Sequence, residues 1–281
     1  MFKIIRYVYQ KFATCSKIKQ LKILEAGVDK EGDPFIKLEN GRIFFGPEST
    51  SKERKFYKLF LSSGTRKKLP FQCFQIALDI VIRYMEGNLK WGGPAKEAFY
   101  NVKEGDVIAE MGAFRGYYTL YLADKVGTSG KIVAIEPIPS NLKYLEKNIA
   151  ANKLENVIVV PKGVWNENDH KTFQRKSTDF QSGSIDISYN NSEALSIEVN
   201  TLDQILQDTN VDQVDFMLIQ LNGAEYEALE GLSKFEPKHL AIAARYDKEE
   251  RNIAQEIRLL LEARDYTTKT LNRKFVYAQL N

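Results

Sequence analysis

The stretch from Gly105 to Pro137 constrains the fold more than any other part of this chain of 281 residues. It begins with a short, mostly apolar run, Asp106 to Met111, which is too short for a helix and predicts a strand buried on both faces. A glycine turn, an amphipathic segment from Tyr117 to Val126 and a second apolar run from Lys131 to Ile135 follow in order. This order predicts a βαβ unit that holds a nucleotide-like ligand at the carboxyl ends of its strands.

The turn after the first strand indicates which nucleotide is bound. Counted from Gly112, the second glycine of a dinucleotide fingerprint would stand at position 114, which is Phe114. A phenylalanine side chain there crowds a diphosphate, so the sequence disfavours NAD and FAD. The pattern of Glu110, Gly112 and Gly116, followed by Glu136 at the end of the second strand, resembles the S-adenosylmethionine-binding motifs of class I methyltransferases.

That resemblance implies a role for each residue of the pattern. Gly112 and Gly116 would let the chain pass close to the methionine part, and Glu110 would accept hydrogen bonds near its amino group. Glu136 would hold both ribose hydroxyls, and Ile138 would lie against the adenine. The alternative is that the glycines only make the strand-to-helix turn. The predicted cofactor-binding residues are Glu110, Gly112, Ala113, Phe114, Gly116, Tyr118, Thr119, Glu136, Pro137, Ile138, Gly163 and Val164.

Length and composition predict a globular protein with one α/β domain and an appendage. We place an appendage of helices and a β-hairpin at residues 1–100 and the S-adenosylmethionine-binding domain at residues 101–281. A net charge of +3 is too small to argue for a nucleic-acid partner. Cys15 and Cys73 have no metal-ligand spacing and fit a reducing compartment or two buried thiols. Without an apolar run of membrane-spanning length or a signal-peptide core, we expect a cytoplasmic protein.

Residues 1–22 carry six basic side chains and no acid, with apolar residues at helical spacing. Such a helix could lie on an anionic membrane or hold a partner. The interpretation we favour is a helix packed on its own domain or in a homodimer. Alternating runs from Leu21 to Gly46, with a turn at Asn40-Gly41, predict strands and a hairpin. Helices are predicted over Ser49–Ser62 and Pro70–Gly87, the second with Phe74, Leu78, Val81 and Met85 on its core face.

The rest of the chain alternates between helix and strand patterns. Residues 162–193 are polar and irregular and predict a functional loop or lid, in which His170 lies. Two strands with a tight connection close the chain, an ending typical of class I methyltransferases. We therefore predict a Rossmann-like class I methyltransferase fold, a mostly parallel sheet with a C-terminal antiparallel hairpin. Its further elements are a helix over Ser140–Asn152, strands over Val157–Val160, Leu195–Val199, Asp215–Leu221 and His239–Ala244, and helices over Gly223–Leu232 and Glu249–Ala263.

Four ordered segments narrow the resemblance to one family. GDVIAEMGAFRGYYTLYLA, EPIPSNLKYLEKNIAAN, TLDQIL and VDFMLIQLNGAEYEALEG together resemble the FkbM family of S-adenosylmethionine-dependent methyltransferases over about residues 103–232. The family is typified by O-methylation of hydroxyls on sugars and polyketides. The resemblance therefore implies O-methylation of a sugar or other hydroxylated small molecule, with S-adenosyl-L-methionine as cofactor.

This chain departs from the family at the end of the fourth strand. The resemblance implies the pattern K-x-D-x-E-G at the end of this strand. At the three charged positions of that pattern this chain has Leu218, Gln220 and Asn222, followed by Gly223. Amides thus replace both carboxylates, and an amide cannot act as a general base and is a poor ligand for hard metals. The acid-and-histidine pattern often found after the fifth strand is also replaced, by Ala244-Arg245-Tyr246.

The candidate catalytic residues are Gln220, Asn222 and Glu225, and we predict no metal site. Asn222 and Glu225 also have the spacing of a helix N-cap and its capping-box partner, which leaves a structural role open for Asn222. Arg245 could bind an acidic acceptor or pair with a carboxylate, and His239 should begin a strand at the edge opposite the cofactor.

Two hypotheses about function follow. The first, which we prefer, is an active methyltransferase that acts on a small-molecule or glycan acceptor. The acceptor could be one that needs no strong base, such as a nitrogen, or the base could come from the loop of residues 162–193. The second is a protein that binds S-adenosylmethionine with reduced or lost transfer activity and acts through partner or membrane-surface contacts.

Overall fold

A computed structural model describes residues 17–85, 97–176, 183–184, 192–245 and 251–281. The predictions for residues 1–16, Trp91 and Tyr246 lie outside these residues. The chain forms two compact units, and the predicted domain boundary at residue 100 stays a prediction. The first unit comprises Met1–Gly93, Arg115–Tyr121 and Lys143–Leu154, and the second comprises Pro94–Phe114, Leu122–Leu142 and Glu155–Asn281.

The first unit contains the predicted strands as a three-stranded antiparallel sheet. Its strands are β1 (Ile23–Val28), β2 (Pro34–Leu38) and β3 (Ile43–Phe45), in the order β1-β2-β3. Gly41 adopts a φ of 87°, and its N–H donates to the Leu38 carbonyl, so the Asn-Gly turn is confirmed.

Helical segments follow this sheet: α1 (Ser51–Phe60), α2 (Ser63–Lys68), a 3-10 turn (Phe71–Cys73), α3 (Phe74–Asp79) and a π-helical segment (Ile80–Met85). The sequence did not predict α2, which begins where the Ser62 side chain accepts the Thr65 N–H. Phe74, Leu78 and Val81 are buried as predicted, but Met85 is 41% exposed. The wider turns of the π-helix rotate Met85 away from the face expected for an α-helix.

The second unit is built on a seven-stranded sheet. The strands are β4 (Val107–Met111), β5 (Lys131–Ile135), β6 (Val157–Val160), β11 (Phe216–Ile219), β12 (His239–Ile242), β13 (Tyr266–Leu271) and β14 (Phe275–Leu280). Their order in the sheet is β13-β14-β12-β11-β4-β5-β6. Only β14 runs antiparallel, to both β12 and β13, so the predicted parallel sheet with a C-terminal antiparallel hairpin is confirmed.

The connecting helices lie close to their predicted positions because each carries an apolar face at helical spacing. They are α4 (Tyr117–Val126), α5 (Pro139–Ala151), α6 (Leu202–Asp208), α7 (Glu225–Glu230) and α8 (Ile253–Glu262). The core of the second unit includes buried side chains from the central strands, among them Ala109, Val133, Met217 and Ile242. Among the described residues, no helix is both long and apolar enough to cross a membrane.

The predicted irregular region contains strands in the residues that the structure describes there, so that prediction is wrong. They are β7 (Gly163–Val164), β8 (Asp169–Lys176), β9 (Gly183–Ser184) and β10 (Ser192–Asn200), in the order β7-β10-β8-β9. His170 therefore lies in β8, opposite Glu198, and is exposed. Polar composition suggested a loop, but antiparallel pairing between distant segments determines the strands.

Candidate active site

Two buried carboxylates lie at the carboxyl edge of the main sheet. Glu110 is the next-to-last residue of β4 and is 1% exposed, and Glu136 directly follows β5 and is 5% exposed. The two strands pair in parallel, with Glu110 opposite Ala134. Both acids therefore belong to the edge where an open α/β sheet binds its ligand.

The carboxylate of Glu136 is held by three donors. Its Oε2 accepts the Phe114 N–H at 2.9 Å, and its Oε1 accepts the Ile138 N–H and the Asn141 side-chain amide, each at 3.1 Å. The glycine turn and the residues after β5 thus fix the orientation of this carboxylate. The sequence analysis missed Asn141, whose position near the start of α5 lets its side chain reach back to the strand end.

The glycine turn is shaped by close backbone packing. Gly112 has a φ of 83°, and a Cβ there would lie 2.3 Å from the Gln220 carbonyl oxygen. The N–H groups of Gly112 and Ala113 both donate to the Ile135 carbonyl at 3.0 Å. Phe114 adopts a left-handed φ of 58°, rare for an aromatic residue. Gly112 is therefore required by the neighbouring strand, whereas its contact with the cofactor stays a prediction.

The other predicted cofactor-binding residues are mostly buried. Within the first unit, a Cβ on Gly116 would lie 2.7 Å from Leu145 Cδ1, and the Tyr118 ring stacks on Tyr121 with centroids 5.2 Å apart. The buried residues Thr119, Ile138, Gly163 and Val164 complete this set, with Pro137 between Glu136 and Ile138. The cofactor roles of all these residues remain predictions.

The arginine inside the glycine turn forms a buried ion pair that the sequence analysis did not identify. Arg115 Nη1 lies 3.4 Å from Asp79 Oδ2, and the two side chains are 4% and 2% exposed. Gln75 donates its amide to the same Asp79 oxygen at 3.1 Å, and the Asn148 amide donates to the Arg115 carbonyl at 2.8 Å. Buried charges persist only when paired, so this part of the turn depends on α3 and α5.

The amides that replace the family's carboxylates follow β11. Gln220 and Asn222 are both half-buried, and Asn222 adopts a left-handed φ of 56°. Glu225 is fully buried, and its two carboxylate oxygens accept the Leu221 N–H at 3.0 Å and the Gly223 N–H at 2.9 Å. The acid therefore braces the turn that carries both amides.

The N-cap interpretation of Asn222 is wrong. The helix α7 begins at Glu225, and its N-cap is Ala224, which has no side-chain cap. The Glu225 carboxylate accepts hydrogen bonds from N–H groups of the preceding turn, so no capping box forms with Asn222.

Burial raises the pKa of Glu225 to about 7, against the lowering effect of the backbone N–H groups and of Arg245. Arg245 lies three residues beyond the end of β12, and its guanidinium carbon is 5.9 Å from the centre of the Phe275 ring. Both interpretations of Arg245 stay predictions. A carboxyl group with such a pKa exists in both protonation states near neutral pH.

His239 lies at the opposite edge of the sheet, as predicted. It is the first residue of β12, and its ring stacks on Tyr100 with centroids 4.0 Å apart. Burial lowers the pKa of His239, which favours the neutral ring. This histidine belongs to the packing of the amino edge.

One cluster of acids in the first unit pairs with a lysine. The carboxylates of Asp29, Glu31 and Asp33 lie close together in the turn between β1 and β2. Lys147 Nζ lies 2.6 Å, 2.8 Å and 2.7 Å from their respective oxygens. The ammonium group thus accounts for this cluster by ordinary charge pairing.

The chain is similar in sequence to known methyltransferases. The methyltransferase FkbM domain matches residues 110–268. Protein-L-isoaspartate O-methyltransferase 1 of Archaeoglobus fulgidus is 33% identical over 60 residues, which are 21% of this chain and 28% of that protein.

Two solved structures are similar at low identity. Methyltransferase FkbM from Methylobacillus flagellatus is 18% identical, with a TM-score of 0.47, over 66% of this chain and 46% of that one. Fibrillarin from Aeropyrum pernix, in complex with S-adenosyl-L-methionine, is 11% identical, with a TM-score of 0.41, over 92% of this chain and 98% of that one. The chain thus spans less than half the length of the curated relative and of the FkbM structure.

The domain match covers more than half of the chain and includes Glu110, Glu136 and the turn after β11. The strand order and the single antiparallel strand confirm the predicted class I fold. The family identified from the four sequence segments is confirmed as well. The chain therefore belongs to the methyltransferase FkbM domain family, a family of S-adenosylmethionine-dependent methyltransferases.

Proposed function

We propose that this chain transfers a methyl group from S-adenosylmethionine to a hydroxyl group of a sugar or other hydroxylated small molecule. The observation that carries the proposal is the pair of buried carboxylates, Glu110 and Glu136, at the ends of adjacent strands within the FkbM match. The proposal that the acceptor is a hydroxyl group rests on the resemblance to the family. A cytoplasmic location stays a prediction from the sequence.

The residues at this edge fit the cofactor chemically. S-adenosylmethionine presents ribose hydroxyls on its adenosyl part and an ammonium group on its methionine part, all of which can donate hydrogen bonds, and ionised carboxylates are acceptors only. Glu136 would hold the ribose and Glu110 the amino group. Because protein donors already fix Glu136, its orientation changes little when the ligand binds. When bound, S-adenosylmethionine supplies an electrophilic methyl group on a sulfonium.

On the acceptor side, the chain offers amides rather than bases. Gln220 and Asn222 can orient a hydroxyl through hydrogen bonds, but neither can take its proton. Glu225 has a pKa suited to proton transfer near neutrality, yet it is fully buried and bonded to the turn. We therefore assign Glu225 to positioning the turn. A nitrogen acceptor, which needs no strong base, is the alternative acceptor class.

A second candidate function is supported by the same amides. The chain would bind S-adenosylmethionine but transfer its methyl group slowly or not at all, because no carboxylate stands at positions 220 and 222. Positioning of donor and acceptor alone accelerates a displacement considerably, which is why we prefer the active enzyme.

Calorimetric titration with S-adenosylmethionine and S-adenosylhomocysteine tests the cofactor site. We expect Glu136→Ala to weaken binding by roughly ten- to a hundredfold, since hydrogen bonds to a charged group are lost. Exposed Glu155 provides a control, because Glu155→Ala should bind like the parent chain. Unchanged affinity in Glu136→Ala, with its circular dichroism spectrum retained, would contradict the assignment.

A screen of sugar, lipid and amine acceptors with radiolabelled S-adenosylmethionine separates the two candidates. Methyl transfer by the parent chain supports the enzyme. Transfer to hydroxyls that appears only in the Gln220→Asp, Asn222→Asp variant supports the second candidate, because the missing carboxylates then account for the difference. Aspartate suits position 222 since it tolerates the left-handed backbone there.

A further inference from the structure

Charge is distributed unevenly along this chain. Residues 1–70 contain 16 Lys and Arg against 7 Asp and Glu, whereas the remaining residues contain 24 against 30. The small net charge of the whole protein therefore conceals a strongly basic region. Such asymmetry indicates a polyanionic partner for the basic part.

The described part of this region concentrates its charge on two short helices, α1 and α2, which we call the basic hairpin (residues 51–68). Glu53 is the single acid in its sequence, and its carboxylate accepts the Thr50 N–H at the start of α1. Its seven basic residues are Lys52, Arg54, Lys55, Lys58, Arg66, Lys67 and Lys68.

The basic hairpin is a fixed surface. The Tyr57 hydroxyl donates to the Leu69 carbonyl at 2.8 Å, and Arg66 donates to the Lys58 carbonyl at 3.3 Å. The Tyr57 ring also packs edge-on against Phe71 and Phe74, with centroids 5.3 Å and 5.4 Å apart. These contacts hold the two helices to the first unit.

Exposed basic side chains lie on both helices, beside an exposed leucine on α1. Arg54, Lys55 and Lys58 are exposed on one side of α1, and Leu59 on the same side is 67% exposed, more than any other large apolar side chain in the described residues. Lys67 and Lys68 are exposed on α2, which packs against β1.

The strand β1 adds two more exposed apolar side chains. Leu24 and Val28 are 62% and 49% exposed. Aliphatic side chains among lysines suit the headgroup boundary of a bilayer. A single-stranded nucleic acid would instead use outward aromatic rings, but here Tyr57 is directed into the packing.

We propose that the basic hairpin docks this protein on an anionic lipid surface, with Lys55, Lys58, Lys67 and Lys68 contacting headgroups and Leu59 entering the interface. This surface lies outside the predicted helix of residues 1–22. The proposal is independent of the proposed function, because it needs neither the cofactor nor methyl transfer.

Co-sedimentation of the full chain with vesicles tests the proposal. We expect binding to phosphatidylcholine vesicles that contain phosphatidylglycerol, weakening with added salt, and none to pure phosphatidylcholine. Each lysine at an anionic surface strengthens partitioning about fivefold, so the quadruple glutamine variant K55Q/K58Q/K67Q/K68Q should bind roughly 600-fold more weakly. The variant Leu59→Gln should bind these vesicles roughly tenfold more weakly.

A matched control removes the same charge from the second unit. The variant K103Q/K234Q/K269Q/K274Q changes four exposed lysines there and should bind vesicles like the parent chain. The proposal would be overturned if the control variant lost as much vesicle binding as the hairpin variant, or if the hairpin variant bound vesicles like the parent chain. It would also be overturned if the parent chain bound neutral and anionic vesicles equally well. Tight binding of an RNA oligonucleotide without vesicle binding would overturn it too. Circular dichroism and S-adenosylmethionine affinity of each variant report folding separately from docking.

Discussion

Two turns at the carboxyl edge of the main sheet are built alike. In the turn after β4, Phe114 adopts a left-handed φ of 58°, and in the turn after β11, Asn222 adopts one of 56°. In each case a buried glutamate accepts N–H groups of its turn, Glu136 from Phe114 and Glu225 from Leu221 and Gly223. A strained backbone held by a carboxylate is thus common to both.

The two turns differ in which chemical groups they present. The first carries Glu110 on its strand, and the retained Glu136 carboxylate lies beside it at the same edge. The second presents the amides of Gln220 and Asn222, while its acid, Glu225, is 0% exposed beneath them. The same backbone conformation therefore supports one turn beside two carboxyl groups and one turn that presents two amides.

The largest effect should come from the contact between the two turns. Gly112→Ala would place a Cβ 2.3 Å from the Gln220 carbonyl oxygen, and we expect a loss of at least about 4 kcal/mol in the free energy of unfolding. Gly41→Ala is the matched control, because Gly41 has a similar φ with nothing within 4 Å, and it should cost about 1 kcal/mol. Equal losses in urea denaturation would show that the two turns do not constrain each other.

The acid beneath the second turn should make stability depend on pH. The folded-state pKa of Glu225 is raised from 4.5 to about 7, so its stabilising contribution is complete below the unfolded pKa and is lost as pH rises through the folded one. Between pH 4.5 and 7, the unfolding free energy should fall by about 3 kcal/mol from this group.

Glu225→Gln should remove that dependence on pH, as urea denaturation at several pH values would measure. Glu155→Gln, at an exposed site, should keep the slope of the parent chain. An unchanged slope in Glu225→Gln would mean that the buried carboxyl group does not titrate in this range.

The smallest effect concerns the strain in the second turn. At a left-handed position, Asn222→Ala should be less stable than Asn222→Gly by about 1 kcal/mol, because alanine tolerates positive φ poorly. Thermal unfolding of both variants measures the difference. If the alanine variant proves as stable as the glycine variant, the backbone at position 222 does not require a residue that tolerates positive φ.

The pattern of apolar runs and glycines was sufficient to predict most of the main sheet. The helix Tyr117–Val126 and the strands Lys131–Ile135 and Val157–Val160 lie where their side-chain periodicity placed them. Predictions from local sequence failed where the structure of a segment depends on its contacts with a distant segment. The strand β8 is polar except for Phe173 and is defined by its pairing with β10, and the π-helical segment moves Met85 off the predicted face.

The sequence alone determined the family, the order of the elements in the main sheet and the two carboxylates at positions 110 and 136, because these depend on local periodicity and on residue type. Only the tertiary structure showed that Asn141 and the turn fix Glu136, that Asp79 pairs with Arg115, and that Glu225 lies beneath its turn. Burial and pairing depend on which distant segments meet, and in a folded chain those contacts decide the charge and orientation of each acid.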